Sequence, residues 1–168
     1  MPFISNPQNN AVFLALISCI ILAAAWGFEI IGGYKSCPLC LMHRYVYYLA
    51  SPAGIAAYLL YSSTNKIAAK WILAAIGVAF LANMVFGAYH SGIEWGWWEG
   101  PSTCAGSGTA GFAANPSDLL NKLQTERVVP CDEAAWRMFG ISFAGYNAIF
   151  SLGLAILALG HWLAPKTR

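Results

Sequence analysis

Charged residues are scarce in this chain of 168 residues, and their scarcity excludes several classes of protein. Asp, Glu, Lys and Arg make up 10% of the residues and hydrophobic residues 58%, whereas about a quarter of a soluble domain is charged. So few charges exclude a soluble enzyme and a chain that is disordered in water. The formal charge of +2 is also too small to indicate a nucleic-acid binder. The composition therefore predicts a membrane protein.

The few charges leave four long stretches without Asp, Glu, Lys or Arg. They are residues 11–28, 45–61, 71–89 and 138–164, which contain 18, 17, 19 and 27 residues. A membrane-spanning helix needs about 20 mostly apolar residues. We therefore predict an all-α membrane protein: one domain, residues 1–168, formed by a bundle of four transmembrane helices in a lipid bilayer. The helices are expected at about 11–31, 43–61, 70–90 and 138–164, and the outer loops at about 32–42 and 91–137.

The distribution of basic residues predicts how the bundle is oriented. Both tails and the loop 62–70 share one side and carry four basic residues without an acid. The other side mixes five basic residues with six acids. The positive-inside rule then places both termini in the cytoplasm and the long loop outside. Residues 1–10 contain no Lys or Arg, so an uncleaved first helix is expected rather than a signal peptide.

Four of the five cysteines fall on the outer side of this topology. Cys37, Cys40, Cys104 and Cys131 face an oxidising compartment, where an even number of cysteines favours two disulfides. The sequence leaves all three pairings open. Cys19 falls in the middle of the first span and is expected to be a small buried hydrophobic residue rather than a reactive one.

The Cys37-Pro38-Leu39-Cys40 motif is better suited to redox chemistry than to structural cross-linking. Two cysteines three residues apart close a ring that is too small to restrain much of the unfolded chain. Because a residue before proline avoids the helical region, Cys37 is predicted to be the N-cap of the second helix. Pro38 then occupies the first helical position, and Cys40 lies in the first turn.

The surroundings of this motif are predicted to be positively charged. Lys35 precedes it, Arg44 follows Cys40 by one helical turn, and no acid lies between residues 30 and 93. Positive charge and a helix N terminus stabilise a thiolate, so the pKa of Cys40 is expected to be lowered. Arg44 could equally extend to lipid headgroups. The spacing fits neither c-type haem attachment nor a zinc site, which usually takes two closely spaced pairs of ligands.

The long outer loop is expected to contain a short amphipathic helix near residues 117–127. Leu119, Leu120 and Leu123 would share its apolar face. Such a segment either lies on the membrane surface or caps the bundle.

Together these motifs resemble the DsbB family, the quinone-linked disulfide bond formation proteins of bacterial inner membranes. The resemblance covers most of the chain and rests on the four spans and three cysteine motifs. These motifs are Cys37-Pro38-Leu39-Cys40-Leu41-Met42-His43-Arg44, a lone Cys104, and Pro130-Cys131-Asp132. It implies a membrane oxidoreductase that reoxidises a periplasmic DsbA-like protein of thioredoxin fold and passes electrons to the quinone pool, as ubiquinone or menaquinone. Such activity supports disulfide bond formation in secreted proteins.

The resemblance also implies roles for individual residues. A disulfide between Cys104 and Cys131, expected to be exposed and easily exchanged, accepts electrons from the partner through Cys104. Cys131 is then implied to undergo thiol–disulfide exchange with Cys37. Cys40 is implied to be the thiolate that reacts with the quinone, with Arg44 near a quinone carbonyl.

Three outer residues are less clearly assigned. His90 matches a histidine that the family places near the quinone, although the residues alone favour a solvated histidine at the membrane interface. Glu94 and Glu99 are expected to be solvated loop residues. Two other functions stay open: a structural four-span protein whose disulfides stabilise its loops, and a relay that runs in reverse and reduces external disulfides.

Overall fold

The computed structural model describes residues 6–63, 65–101, 127–128, 131–134 and 136–163. Four long helices dominate this part of the chain: α1 (Pro7–Ile30), α2 (Pro38–Ser62), α3 (Lys66–Glu94) and α4 (Phe143–Leu163). Two pairs of short strands lie between them. β1 (Tyr34–Lys35) pairs in parallel with β2 (Arg127–Val128), and β3 (Arg137–Met138) pairs antiparallel with β4 (Ile141–Ser142). The predicted all-helical architecture is therefore confirmed.

Three of the helices are long and apolar enough to cross a membrane. They are α1, α3 and the segment Phe143–Gly160 of α4. α2 has 25 residues, but polar side chains such as those of His43 and Arg44 make it less apolar than the others. A fourth span through α2 thus stays a prediction.

The local sequence explains where the helices begin. Cys37 has an extended backbone, with φ −65° and ψ 159°, and its sulfur accepts a hydrogen bond from the Cys40 amide. Pro38 follows at the first helical position, so the prediction that Cys37 caps this helix is confirmed. Asn6 and Asn65 cap α1 and α3 in the usual way, each through a side-chain oxygen that accepts a backbone N–H.

The packing of the helices leaves room for a cavity at one end of the bundle. α2 packs against α1 and α3, and α3 packs extensively against α4, whereas α1 and α4 touch much less. Leu14, Tyr47, Phe80 and Leu154, one from each helix, meet in the main core. At one end of the bundle, Gln8 Nε2 donates to Ser62 Oγ over 2.9 Å. The cysteine motif lies at the opposite end.

The segment before α4 differs from the predicted continuous helix. α4 begins at Phe143, because residues 137–142 form the hairpin of β3 and β4. Phe139 and Gly140 form its turn with φ values of 51° and 80°, which is the pattern of a tight two-residue hairpin. Of the helix predicted near 117–127, residues 117–126 lie outside the described residues, and Arg127 belongs to β2.

Cys19 is exposed on the outer surface of α1. It is therefore not packed inside the bundle, and its predicted place in the hydrocarbon of the membrane stays a prediction. A lipid-facing position is as apolar as a protein core, so the sequence pattern does not distinguish the two.

Gly54 allows α1 and α2 to approach closely, and its replacement provides a test of the bundle. A Cβ at this position would lie 2.9 Å from the Ala11 carbonyl oxygen. We expect Gly54→Ala to lower the free energy of unfolding by about 1–2 kcal/mol, because backbone atoms must separate. Thermal unfolding in detergent measures the effect. Gly153→Ala is the matched control, since its Cβ would meet no described atom within 4 Å; equal melting temperatures of the two variants would contradict the close approach.

Candidate active site

Cys37 and Cys40 lie close enough to form a disulfide at the start of α2. Their sulfur atoms are 2.6 Å apart, and a disulfide bond is about 2.05 Å long. Both are free thiols in the structure. Cys37 is only 1% exposed, and Cys40 is half-buried. The pair can therefore change between dithiol and disulfide with a small movement of its side chains.

The surroundings of the pair favour a thiolate at Cys37. A hydrogen bond with the Cys40 thiol lowers the pKa of Cys37 to about 5 against the opposing effect of burial, and His90 and the Cys40 amide act in the same direction. That amide lies 3.1 Å from the Cys37 sulfur. The prediction assigned the acidic thiol to Cys40 and was wrong in this respect. The free N–H groups of a helix N terminus point to the sulfur of the N-cap residue.

Cys131 shares a small buried cluster with Cys37, Leu39 and Ile93, and it is 1% exposed. Cys131 is disulfide-bonded, whereas the second predicted loop cysteine, Cys104, lies outside the described residues. The disulfide was predicted to be exposed, and at Cys131 this prediction is wrong, because the residue packs onto the end of the bundle. A buried disulfide sulfur that shares a cluster with a free thiol is well placed for thiol–disulfide exchange.

Arg44 is held at the same end by an ion pair with Glu29 of α1. Arg44 Nη1 lies 2.6 Å from Glu29 Oε2, and Nη2 also donates to Ser36 Oγ. The guanidinium stands 5.8 Å from the centre of the Trp26 ring. Arg44 is 9% exposed, so its charge is buried against the protein. The expectation of purely positive surroundings was wrong, because α1 brings Glu29 from just outside the acid-free stretch.

His90 is fully buried below the cysteine pair. Its Nε2 lies 3.9 Å from the Cys37 sulfur, and its relative exposure is 0%. The prediction of a solvated interfacial histidine was therefore wrong. On its other side, Nδ1 of His90 lies 3.4 Å from Nε2 of His43. The two rings stack with their centres 5.5 Å apart and an angle of 9° between their planes.

His43 joins these rings to amide side chains from α3 and α4. Its Nδ1 lies 2.9 Å from Asn83 Oδ1 and 3.0 Å from Asn147 Nδ2. His43 was not predicted to have a role in the site. Its position three residues after Cys40 places both on one face of the helix, and this spacing could have identified it.

Glu94 lies at the end of α3 rather than in a solvated loop. Its carboxylate accepts a hydrogen bond from the Ser142 hydroxyl, and Arg137 donates to its carbonyl oxygen over 2.9 Å. The solvated role predicted for Glu94 was therefore wrong. This residue joins α3 to the hairpin that precedes α4. Glu99 is exposed, as expected.

A cavity of about 600 Å³ opens between α1, α2 and α4 beside the cysteine pair. Much of its wall is apolar and aromatic, including Leu22, Phe28, Trp136, Phe143 and Phe150. Its polar groups include the cysteine pair, both stacked histidines, Arg44 and Glu29. Such a wall suits a flat apolar ligand whose edge carries polar atoms.

The same residues offer ligand atoms to a metal ion. Those of Cys37, Cys40 and His90 all lie within 4.8 Å of one another. Two thiolates on one tetrahedral zinc ion, with bonds of about 2.3 Å, lie roughly 3.7 Å apart. The separation of 2.6 Å between these sulfurs therefore favours a redox pair over a metal site.

Comparison with known proteins agrees with this arrangement. The family described as disulfide bond formation protein DsbB matches residues 7–160. An uncharacterized protein of Rickettsia prowazekii (strain Madrid E) is 25% identical over 155 residues, which cover 92% of this chain and 87% of that protein. No solved structure gives a significant match. Because the family match spans all four helices and the cysteine pair that they position, the chain belongs to the DsbB family of membrane disulfide oxidoreductases.

Proposed function

We propose that this protein reoxidises a periplasmic DsbA-like dithiol protein and passes the electrons through two cysteine pairs to a membrane quinone. One observation carries the proposal above all. The free pair of Cys37 and Cys40 adjoins the buried cluster that contains a disulfide cysteine, Cys131, and lines an apolar cavity of about 600 Å³. A disulfide donor and a cavity-bound acceptor can therefore both reach the same pair.

Electrons enter this route at the disulfide of Cys131, whose partner we propose to be Cys104. The other described cysteines are free thiols, which supports that pairing. A thiolate of the soluble partner attacks Cys104, and the partner's second thiol resolves the mixed disulfide. The partner is then oxidised, and Cys104 and Cys131 become a dithiol.

The second exchange moves the two electrons to the pair on α2. Cys131 attacks the sulfur of Cys37 in the Cys37–Cys40 disulfide, and Cys104 then attacks Cys131 to restore the outer disulfide. Cys37 and Cys40 are left as the dithiol. Each exchange conserves two electrons and two protons. The buried cluster that Cys131 shares with Cys37 supports attack at this sulfur.

The cavity wall is suited to the last step. A bound quinone, ubiquinone or menaquinone, supplies an acceptor for two electrons and two protons. Cys40 lines the cavity and is proposed to donate the electron pair there as Cys37 and Cys40 form their disulfide. Arg44 is proposed to bind the quinone edge and stabilise developing negative charge, and His90 to receive a proton. The apolar walls exclude water from the reacting groups.

We place the protein in the bacterial inner membrane, with four spans, both termini in the cytoplasm and the redox cysteines in the periplasm. The fourth span is α2. Its polar side chains face the interior: His43 and Arg44 are buried, whereas Leu49, Ile55 and Leu59 are exposed. A helix that is apolar on its outer face can cross a bilayer when its polar residues face the bundle.

Quinone reduction by the purified protein tests this function. Reduced DsbA-like protein and a short-chain quinone are supplied in detergent, and the quinone absorbance is followed. We expect turnover that depends on both, and Cys131→Ser is expected to stop it. No turnover in folded protein would favour the structural four-span alternative. A rise in partner thiols on adding oxidised quinone would reverse the proposed direction.

A further inference from the structure

We propose that His90 and His43 form a relay of two imidazoles that takes up the proton that Cys37 loses as it becomes a thiolate and releases it at the cavity, with Asn83 and Asn147 as positioning residues. The inference rests on the proposed function and adds a route for one of the two protons. It follows from the contacts on each side of the two rings.

The chemistry of the pair requires such a route. Oxidation of the pair supplies two electrons, and a quinone needs two electrons and two protons to become a quinol. Cys40 and Cys37 both line the cavity. Because the surroundings favour a thiolate at Cys37 before it reacts, the proton of Cys37 must be held by a nearby base. Cys37 is 1% exposed, and its sulfur lies 3.9 Å from His90 Nε2. That nitrogen is the base to which the Cys37 proton is proposed to pass.

A second ring lets His90 share the positive charge that it gains with the proton. The residue is fully buried, where an isolated positive charge is costly. Its Nδ1 lies 3.4 Å from His43 Nε2. When Nε2 of His90 gains a proton, Nδ1 can release one to His43, and both rings line the cavity in which the proton is needed. The positive charge is then not held on His90.

The amides around His43 suit both protonation states of its Nδ1. Asn83 Oδ1, at 2.9 Å, accepts a hydrogen bond when this nitrogen carries a proton. Asn147 Nδ2, at 3.0 Å, donates one when it does not. The nitrogen therefore keeps a hydrogen-bond partner in either state. A relay requires this, because it must return to its first protonation state after each turnover. A purely structural histidine needs only one of these partners.

Neighbouring side chains fix the orientation of both amides. Asn83 Nδ2 donates to Ser151 Oγ over 2.9 Å. Asn147 Oδ1 accepts from the Tyr47 hydroxyl over 2.7 Å. These bonds leave the carbonyl of Asn83 and the N–H groups of Asn147 for His43. The two asparagines therefore position the ring without taking part in the redox step.

Several other charged or titratable groups surround the rings and contribute to any pH profile. They are Cys37, Cys40, Arg44 and Tyr47 beside α2, Glu94 on α3, Glu29 on α1, and Tyr146 on α4. The amides of Asn83 and Asn147 are neutral at every pH. The relay is therefore tested by removing His43 itself, while these groups are kept.

The test follows a single oxidation of the Cys37–Cys40 dithiol by quinone, in H₂O and in D₂O, across pH. We expect His43→Leu to slow it by about 10²-fold, the usual contribution of a general acid or base. The solvent isotope effect should fall, and added imidazole should restore part of the rate. Asn83→Leu should cause a loss of about 10-fold with the same trend. Ser18→Ala, which removes a buried hydroxyl of α1, is the matched control and should react like wild type.

A second readout needs no quinone. The chain has three histidines, so ¹⁵N labelling of histidine in the reduced protein gives a simple spectrum. The proton on the His90 ring should redistribute between its two nitrogens in His43→Leu, because Nδ1 loses its acceptor. If His43→Leu does not fold, Asn83→Leu gives the rate and isotope-effect readouts, because it removes the oxygen atom beside His43 Nδ1.

The outcomes separate the relay from the proposed function. Wild-type protein that does not reduce quinone would overturn the proposed function. Wild type that reduces quinone, beside a His43→Leu variant with the same rate, pH profile and isotope effect, would overturn the relay alone. A loss that Ser18→Ala shares, or that leaves the isotope effect unchanged, indicates a structural role and also overturns the relay.

Discussion

Replacing Cys40 by serine is expected to slow quinone reduction by at least about 10³-fold, as removal of an essential reactive group usually does. The sulfur of Cys40 lies 2.6 Å from that of Cys37, and a serine hydroxyl cannot form the bond that releases the electron pair. The measurement is the decrease in quinone absorbance with a reduced DsbA-like donor in excess.

Two further variants make this result specific. Cys19→Ser removes a thiol exposed on α1 and is expected to react at the wild-type rate. A double variant lacking both Cys37 and Cys40 is expected to be no slower than Cys40→Ser alone, because the two residues act as one unit. If Cys40→Ser keeps about one tenth of the wild-type rate or more, a different thiol delivers the electrons.

Replacing Arg44 by methionine is expected to produce the second large effect, a fall of about 10²-fold in kcat/KM for the quinone. Arg44 pairs with Glu29 at 2.6 Å, and both line the cavity. The variant removes a positive charge from the cavity and leaves the Glu29 carboxylate without its partner. An unpaired carboxylate there opposes the negative charge that develops on a quinone as it is reduced. Initial rates over a range of quinone concentrations measure the change.

A double-mutant cycle distinguishes the charge of Arg44 from its ion pair. Glu29→Gln alone is expected to have a milder effect than Arg44→Met, since it leaves the positive charge in place. The combination should be faster than Arg44→Met alone, because no unpaired carboxylate remains. Lys66→Met removes a cation at the end of the bundle away from the cysteine pair and serves as the control. Strictly additive losses would show that the ion pair is irrelevant to the reaction.

The sequence was a reliable guide where a residue's role depends on its near neighbours in the chain. Pro38 alone predicts that Cys37 caps α2, and the structure agrees. The sequence was a poor guide for groups supplied by distant segments. Glu29 was outside the acid-free stretch but reaches Arg44. His90 was expected in solvent and lies against Cys37.

The pKa values of the two cysteines also depend partly on near neighbours in the chain and partly on side-chain orientation. The sequence predicts a helix N terminus beside the motif, which is correct. It does not predict which sulfur receives the free N–H of Cys40, because that depends on side-chain orientation. In the structure this sulfur belongs to Cys37, whose pKa is lowered to about 5.

The sequence by itself determined that this chain forms apolar helices for a membrane and carries a redox-active pair at the start of one of them. Both properties follow from composition and from neighbours within a few residues. Only the tertiary structure decided what surrounds that pair. Cys131 shares its buried cluster, and the stacked histidines and the Arg44–Glu29 ion pair line the same cavity. These groups come from different helices and loops, so their distances depend on packing between helices. An apolar sequence pattern predicts that a residue is buried in lipid or protein, but it does not predict which residues of other helices lie beside it. Those contacts between helices form the site.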